Sequence, residues 1–311
     1  MRRAAMPQTA GKAPGEPPAQ GIAGPRVAVT GKCGRRRRIE RIGRIDLITL
    51  VNLIGGDCIE TGRDVVATAG PARTVFFVPV YDQAGELPRV LAEAAAAALP
   101  EVSLLLVNNG SRDGSARLVR DSGHPFLDLP RNLGVGGALM LALDWALARQ
   151  VEIFGMMAAN GKMLPAEIPR LIDPILAGEA DYVTGSRFLS GGAAPHLPGF
   201  RRRTIPLVNH YVRWLTGARL SDATCGFRAF RLDLVRRAEF DWRAPWLATY
   251  GLEYYLYAKV LRDRRLRWLE RPVTMRYPPA GRYSKIRPGR DWWAMLEPWL
   301  RARLDGRGFR P

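Results

Sequence analysis

From Thr74 onward, short apolar runs alternate with segments of helical spacing, and this alternation restricts the fold more than any other feature. Thr74–Val80, Val102–Val107, Pro125–Leu129, Ile153–Met157 and Asp181–Gly185 read as strands. Between them, Glu86–Leu99, Ser115–Ser122, Val135–Gln150 and Pro165–Ala177 combine apolar periodicity with good helix formers. Strands that are apolar almost throughout are buried on both faces, and strand–helix alternation favours parallel pairing. The pattern predicts an α/β fold, a mostly parallel central sheet with helices on both faces. Such sheets bind ligands beyond the carboxyl ends of their strands. Tyr81–Gln83, Asn108–Asp113 and Ala158–Lys162 are therefore expected along one rim.

The flanks differ in composition. Residues 1–70 hold 11 Gly and 5 Pro, with 12 Lys+Arg against 6 Asp+Glu. This basic segment, with its Arg35–Arg38 run, is predicted to be disordered, apart from a short helix or strand over Ile45–Ile54. The folded domain is expected over 72–275. It includes a helix from about Thr204, with Thr204 as N-cap and Pro206 in the first turn, and another over Leu252–Leu261. The apolar positions Ile205, Val208, Tyr211, Val212 and Leu215 fit either a membrane or a core contact. Residues 276–311 form a basic segment in which Trp292, Trp293 and Trp299 are interleaved with Arg290, Arg301 and Arg303. That mixture suits a bilayer interface, packing on the domain or a homo-oligomer contact, and Pro298 predicts two short helical pieces.

Composition narrows the function. Of 311 residues, 47 are Lys or Arg and 29 are Asp or Glu, so the net charge is 47 − 29 = +18. A surface so basic favours anionic partners: nucleic acid, acidic lipid or a phosphorylated substrate. No nucleic-acid-binding motif is present, so a nucleic-acid partner is not expected. Three cysteines make no disulfide framework and three histidines lack zinc-site spacing. These features point to a reducing compartment, the cytoplasm.

Several motifs, in order along the chain, carry a resemblance. They are Val78-Pro79-Val80-Tyr81-Asp82-Gln83, Val107-Asn108-Asn109-Gly110-Ser111-Arg112-Asp113-Gly114-Ser115, Arg131-Asn132-Leu133-Gly134-Val135-Gly136-Gly137-Ala138, and Met157-Ala158-Ala159-Asn160-Gly161-Lys162 with Pro165-Ala166-Glu167-Ile168-Pro169. Gly185-Ser186-Arg187-Phe188 and Ser221-Asp222-Ala223-Thr224-Cys225-Gly226-Phe227-Arg228-Ala229-Phe230 follow. Over about 74 to 288 the chain resembles family-2 glycosyltransferases, most of all the branch that uses polyprenyl or dolichol phosphate. The resemblance implies the type A glycosyltransferase fold. It also implies a GDP- or UDP-sugar donor and transfer to a polyprenyl phosphate, as in bacterial cell-envelope glycan assembly. It places the enzyme peripherally on the cytoplasmic membrane face, held by the membrane surface or by a membrane partner protein.

The resemblance also assigns residues. Pro79, Tyr81, Asp82, Asn108, Asn109, Arg131, Gly134, Asn160 and Lys285 fall at donor positions, Lys285 within a Gly281–Ile286 loop similar to the family's Gly-x-Ser-Lys. Asn108-Asn109-Gly110 fits either a base acceptor or plain turn chemistry. Gly134–Gly137 fit either a helix start close to the donor or a tight turn. Arg187, Arg201 and Arg228 fall on the acceptor side, where guanidinium groups suit phosphate. Asp222 corresponds to a base that matters more for a hydroxyl acceptor than for an already ionised phosphate.

One departure stands out. The family's Asp-x-Asp holds a divalent cation on the donor pyrophosphate; here Ala158 and Asn160 stand there, and the next polar position is Lys162. A methyl group cannot ligate metal, and Asn160 offers at most one neutral oxygen, so a divalent metal is doubtful. Two readings follow. In one, Lys162 supplies in place the positive charge of the metal. In the other, the chain is a non-catalytic relative that binds nucleotide sugar.

Overall fold

The computed structural model describes residues 60–61, 73–278, 290–306 and 308–310. Ile45–Ile54, the Gly281–Ile286 loop and Lys285 lie outside the described residues, as does nearly all of segment 1–70.

The expected sheet is present and wider than the motifs suggest. It has eight strands: β1 (Glu60–Thr61), β2 (Thr74–Val80), β3 (Val102–Asn109), β4 (Phe126–Leu129), β5 (Ile153–Met156), β6 (Tyr182–Ser186), β7 (Arg228–Arg231) and β8 (Trp268–Pro272). They lie in the order β1-β4-β3-β2-β5-β7-β6-β8. The run β4-β3-β2-β5 is parallel, with Val80 opposite Asn108 and Asn108 opposite Asp128. β7 is antiparallel to both of its neighbours, and β8 pairs in parallel with β6.

Three helices occupy the predicted crossovers: α1 (Leu87–Ala97), α2 (Ser115–Asp121) and α3 (Gly134–Ala148). α4 (Ile168–Leu176) follows a 3-10 turn at Pro165–Glu167, and after β6 comes α5 (Gly199–Thr216). α6 (Asp233–Arg237), α7 (Gly251–Arg262) and α8 (Arg290–Leu304) complete the fold. Hydrophobic clusters fill both sides of the sheet. Phe77, Leu105, Val107 and Phe154 pack against α3, α7 and Trp299 on one side. Phe76, Leu104 and Leu106 pack against α1 and α4 on the other.

Two helices depart from expectation. α5 begins at Gly199 after Pro198, not at Thr204, whose hydroxyl turns back toward the Arg201 carbonyl at 3.5 Å. Pro206 therefore lies inside the helix. Ile205, Val212 and Leu215 are core residues. α8 is one helix through Pro298, not two pieces. Trp299 and Ala302 are buried on α7, and this packing offsets the missing proline N–H.

Candidate functional site

The rim beyond β2, β3 and β5 gathers the expected segments, but their side chains divide into two groups. One group holds the rim together. Asn109 Nδ2 donates to the Gly134 carbonyl (3.0 Å) and its Oδ1 accepts from the Leu133 N–H (2.8 Å). Both ends of this amide are engaged in positioning the start of α3. Gly136 and Gly137 donate their N–H groups to the carbonyls of Thr249 and Ala248, at 2.9 and 2.7 Å. A β-carbon on Gly136 would lie 2.0 Å from the Leu247 carbonyl oxygen. This glycine-led helix start, Gly134 included, is therefore a close-packing device against 247–249. A phosphate-binding turn would present those amides to a ligand.

The other group faces the rim. Asp82 takes a left-handed backbone (φ 47). It accepts from the Arg112 N–H at 2.7 Å through Oδ1, and its own N–H donates to Ser111 Oγ at 3.0 Å. Asn108 is buried on β3, where Nδ2 donates to Asp128 Oδ1 at 2.6 Å and Oδ1 accepts from the Ser111 N–H at 3.3 Å. Arg120 pairs with the same Asp128 carboxylate. Asp128, which the motif reading did not single out, thus fixes which way the Asn108 amide points. Tyr81 is half-buried and Arg131 is exposed at the same end of the sheet. Gly110 (φ 67) lets the turn pass against residue 131, where a β-carbon would lie 2.4 Å from the Arg131 carbonyl carbon.

A cleft of about 120 Å³ opens between Pro79, Gly136, Ala158, Met163, Gly226 and Glu253. Ala158 and Glu253 thus line one space. Glu253 stands in the first turn of α7. Burial raises its pKa, against the lowering effect of Arg228, whose Nη1 lies 3.3 Å from Oε1.

Next to this cleft lies a cationic cluster. Lys162 is 7% exposed. Its backbone N–H donates to Asn160 Oδ1 (3.3 Å) and its carbonyl accepts from the Arg276 N–H (2.8 Å). Nζ sits 5.5 Å from the centre of the Tyr277 ring. Burial, followed by the charges of Arg201 and Arg187, lowers the Lys162 pKa to about 8. An ammonium held at such cost in solvation is suited to an incoming anion. Arg201 is half-buried in the first turn of α5. The helix dipole disfavours positive charge there, so helix stability does not account for Arg201-Arg202-Arg203.

Arg187, Asp222 and Arg228 are placed otherwise than expected. Arg187 donates from Nε and Nη2 to both oxygens of Asp222, each at 2.6 Å, and from Nη1 to the Tyr277 hydroxyl at 2.5 Å. Both side chains of the pair have no exposed surface. Burial opposes the Arg187 charge, but the hydrogen bond and charge of Asp222 outweigh it and raise the pKa. Asp222 also accepts from the Thr224 hydroxyl at 3.1 Å, and its N–H donates to Glu270. A base needs a free lone pair facing a substrate, and Asp222 presents none here. Arg228 is fully buried and donates to the carbonyls of Cys225 (2.7 Å) and Ala223 (3.0 Å). It holds the 223–228 turn and does not contact an acceptor.

The metal implied by the resemblance does not fit these residues. Ala158 has no donor atom, the Asn160 oxygen accepts from the Lys162 N–H, and an ammonium occupies the third polar position. Among the described residues no group of three or more His, Cys, Asp or Glu could hold a metal ion.

The sheet order, the rim motifs and the cleft define a type A glycosyltransferase architecture. Residues 75–238 match the profile for glycosyl transferase family 2, and the chain belongs to that family. It is 31% identical over 187 residues to the polyprenol monophosphomannose synthase of Mycolicibacterium smegmatis, spanning 58% of this chain and 69% of that protein. It is also 31% identical over 174 residues to the undecaprenyl-phosphate mannosyltransferase of Micrococcus luteus, covering 54% of this chain and 70% of the relative. Among solved structures it resembles glucosyl-3-phosphoglycerate synthase from Mycobacterium tuberculosis in complex with Mn2+, UDP and phosphoglyceric acid. That match has a TM-score of 0.53 and 18% identity over 74% of this chain and 78% of the other, a likeness of fold. No described helix is long and apolar enough to cross a membrane.

Proposed function

We propose that this glycosyltransferase moves a sugar from a nucleotide-diphospho-sugar to a lipid-linked phosphate, with Lys162 in the place of a divalent metal. The observation that carries the reading is the buried Lys162 ammonium in the loop where Ala158 and Asn160 stand in place of the family's metal-binding carboxylates. The lipid-phosphate acceptor is supported by the two mannosyltransferase relatives, which are named for polyprenol and undecaprenyl-phosphate.

In this reading Tyr81, Asp82 and Asn108 receive the nucleoside at the rim, with Arg131 and Asn160 near its phosphates. The acceptor phosphate is already ionised near neutral pH and needs little base help. Its oxygen attacks the anomeric carbon directly, a C–O bond forms, and the bond from that carbon to the diphosphate breaks with inversion. The electron pair leaves with the nucleoside diphosphate. Lys162 stabilises the charge growing on that leaving group, and Arg201 holds the acceptor phosphate. Arg187, paired with Asp222, holds the Tyr277 hydroxyl, and the Tyr277 ring lies 5.5 Å from Lys162 Nζ. Lys285 remains a proposed donor-phosphate contact.

The rival reading, a non-catalytic nucleotide-sugar-binding relative, draws on the absent carboxylates and on the engagement of Asn109 and Asp222. Purified protein given labelled GDP-mannose, UDP-glucose or UDP-GlcNAc and a short polyprenyl phosphate, with and without EDTA, separates the two. Lipid-extractable label that persists in EDTA is the expected result. Nucleotide binding with no label from any donor would favour the rival. Label lost in EDTA and restored by Mn2+ would remove Lys162 from the role assigned to it.

A further inference from the structure

α5 has a second apolar stripe. Ile205, Val212 and Leu215 take the buried side. Phe200, Leu207 and Trp214 lie outside at 51, 69 and 66% exposure. Their seven-residue spacing puts them on one line down the helix. α8 runs alongside in the same direction. Phe200 stacks on Trp292 at 5.6 Å near the start of both helices, and the Arg303 guanidinium sits 5.9 Å from the Trp214 ring near their ends. Trp293 (62%) and Leu304 (77%) add to the exposed apolar surface. Single exposed apolar side chains are ordinary; six large ones on two adjacent helices are not.

The charge on this face is one-sided. Residues 199–220 contain five arginines and no Asp or Glu. Arg202, Arg203 and Arg219 are exposed between or beside the apolar positions. An ordinary protein partner does not require that combination. An anionic bilayer does, because tryptophan rings and aliphatic tips enter the headgroup layer while guanidinium groups pair with lipid phosphates.

We propose that the outer face of α5, continued by Trp292, Trp293 and Leu304 of α8, docks the protein on an anionic lipid bilayer. Its purpose rests on the lipid-linked acceptor proposed above: the inner side of the α5 start carries Arg201 at the cationic cluster, and the outer side would lie on the membrane that supplies the acceptor.

The test uses the full chain with no sugar donor and no acceptor. Protein is sedimented with vesicles of phosphatidylcholine, alone or mixed with phosphatidylglycerol. Binding is expected to the mixed vesicles, to be weak on phosphatidylcholine alone, and to fall as salt rises. A Leu207→Gln/Trp214→Gln/Trp293→Gln variant should bind the mixed vesicles at least about tenfold less. Arg202→Glu/Arg203→Glu should do the same through charge alone. All five positions are exposed, so circular dichroism should show both variants folded. Quenching of tryptophan fluorescence by brominated lipid, reduced in the first variant, is a second readout.

Failure of the wild type to bind, or variants that bind as well as it does, would overturn the docking face. So would a dimer that the same substitutions abolish in the absence of vesicle binding, which would assign the face to a second copy. A protein that docks but transfers no sugar to a water-soluble short-chain acceptor keeps the face and loses the proposed activity. One that transfers without docking does the reverse.

Discussion

Arg187 holds Asp222 by two parallel 2.6 Å hydrogen bonds in a position sealed from water. Removing one partner of such a pair leaves the other charge buried and uncompensated, at a cost of about 3–5 kcal/mol. Asp222→Asn should therefore lower stability by that order in denaturant titration. The double change Arg187→Met/Asp222→Leu should recover much of the loss. If Asp222 acted as a base instead, Asp222→Asn would leave the melting temperature in place and reduce kcat alone.

Lys162 makes the opposite prediction. A lysine whose pKa falls from 10.5 to about 8 disfavours its own charge at neutral pH by about 3 kcal/mol. Lys162→Met should stabilise the fold by a few kcal/mol at most, seen as a higher melting temperature, while cutting transfer at least about 100-fold. The pH dependence has a definite sign. The folded protein sheds this proton at lower pH than the unfolded chain, so the Lys162 contribution to stability rises between about pH 8 and the ordinary lysine value of 10.5. In the proposed reaction transfer needs the ammonium, so kcat/KM should fall above about pH 8. That upper limb should vanish in Lys162→Met.

The replacement of carboxylates should be reversible. Ala158→Asp/Asn160→Asp/Lys162→Gln restores two hard oxygen ligands and removes the repelling charge. The triple variant should bind donor more tightly with Mn2+ than with EDTA, by calorimetry, whereas the unaltered protein should show no such difference. Equal binding in both conditions by the triple variant would mean that the site lacks room for a hydrated ion.

Gly136 tests the join between α3 and the 247–249 segment. A methyl group there would overlap a backbone carbonyl at 2.0 Å, and no rotamer relieves it. Gly136→Ala should destabilise by about 1–3 kcal/mol or more. Gly123→Ala should cost less, because its added β-carbon meets nothing within 4 Å, leaving only the strain of a positive φ.

Much of the architecture can be read from residue pattern alone, for a physical reason. β2, β3 and β5 are largely buried on both faces, so Thr74–Val80 and its partners are predominantly apolar and their neighbours must be crossover helices. β7 and β8 escape such a reading. Arg-Ala-Phe-Arg and Trp-Leu-Glu-Arg-Pro are short and carry charge, and their pairing is decided by strands far away in sequence. The site divides in the same way. Segments reached the expected rim because the parallel sheet sends every βα turn to one end. Side-chain contacts escape the sequence where the partner is distant: Asn109 faces Leu133, Arg187 meets residues 222 and 277, and Arg228 turns inward under Tyr257, 4.2 Å from its ring. Asp128 left one trace, an acid in an otherwise apolar four-residue strand.

The engagement of the Gly136 and Gly137 amides by Thr249 and Ala248 reaches beyond stability. Backbone N–H groups are anion ligands that neither titrate nor mutate. With these two committed to joining α3 to the 247–249 segment, the proposed reaction leaves the diphosphate to side chains such as Lys162. A cradle of amides is insensitive to pH and to most substitutions; a cradle of side chains is tunable by both. An ammonium in that role would make the grip on anions adjustable, one proton or one codon at a time.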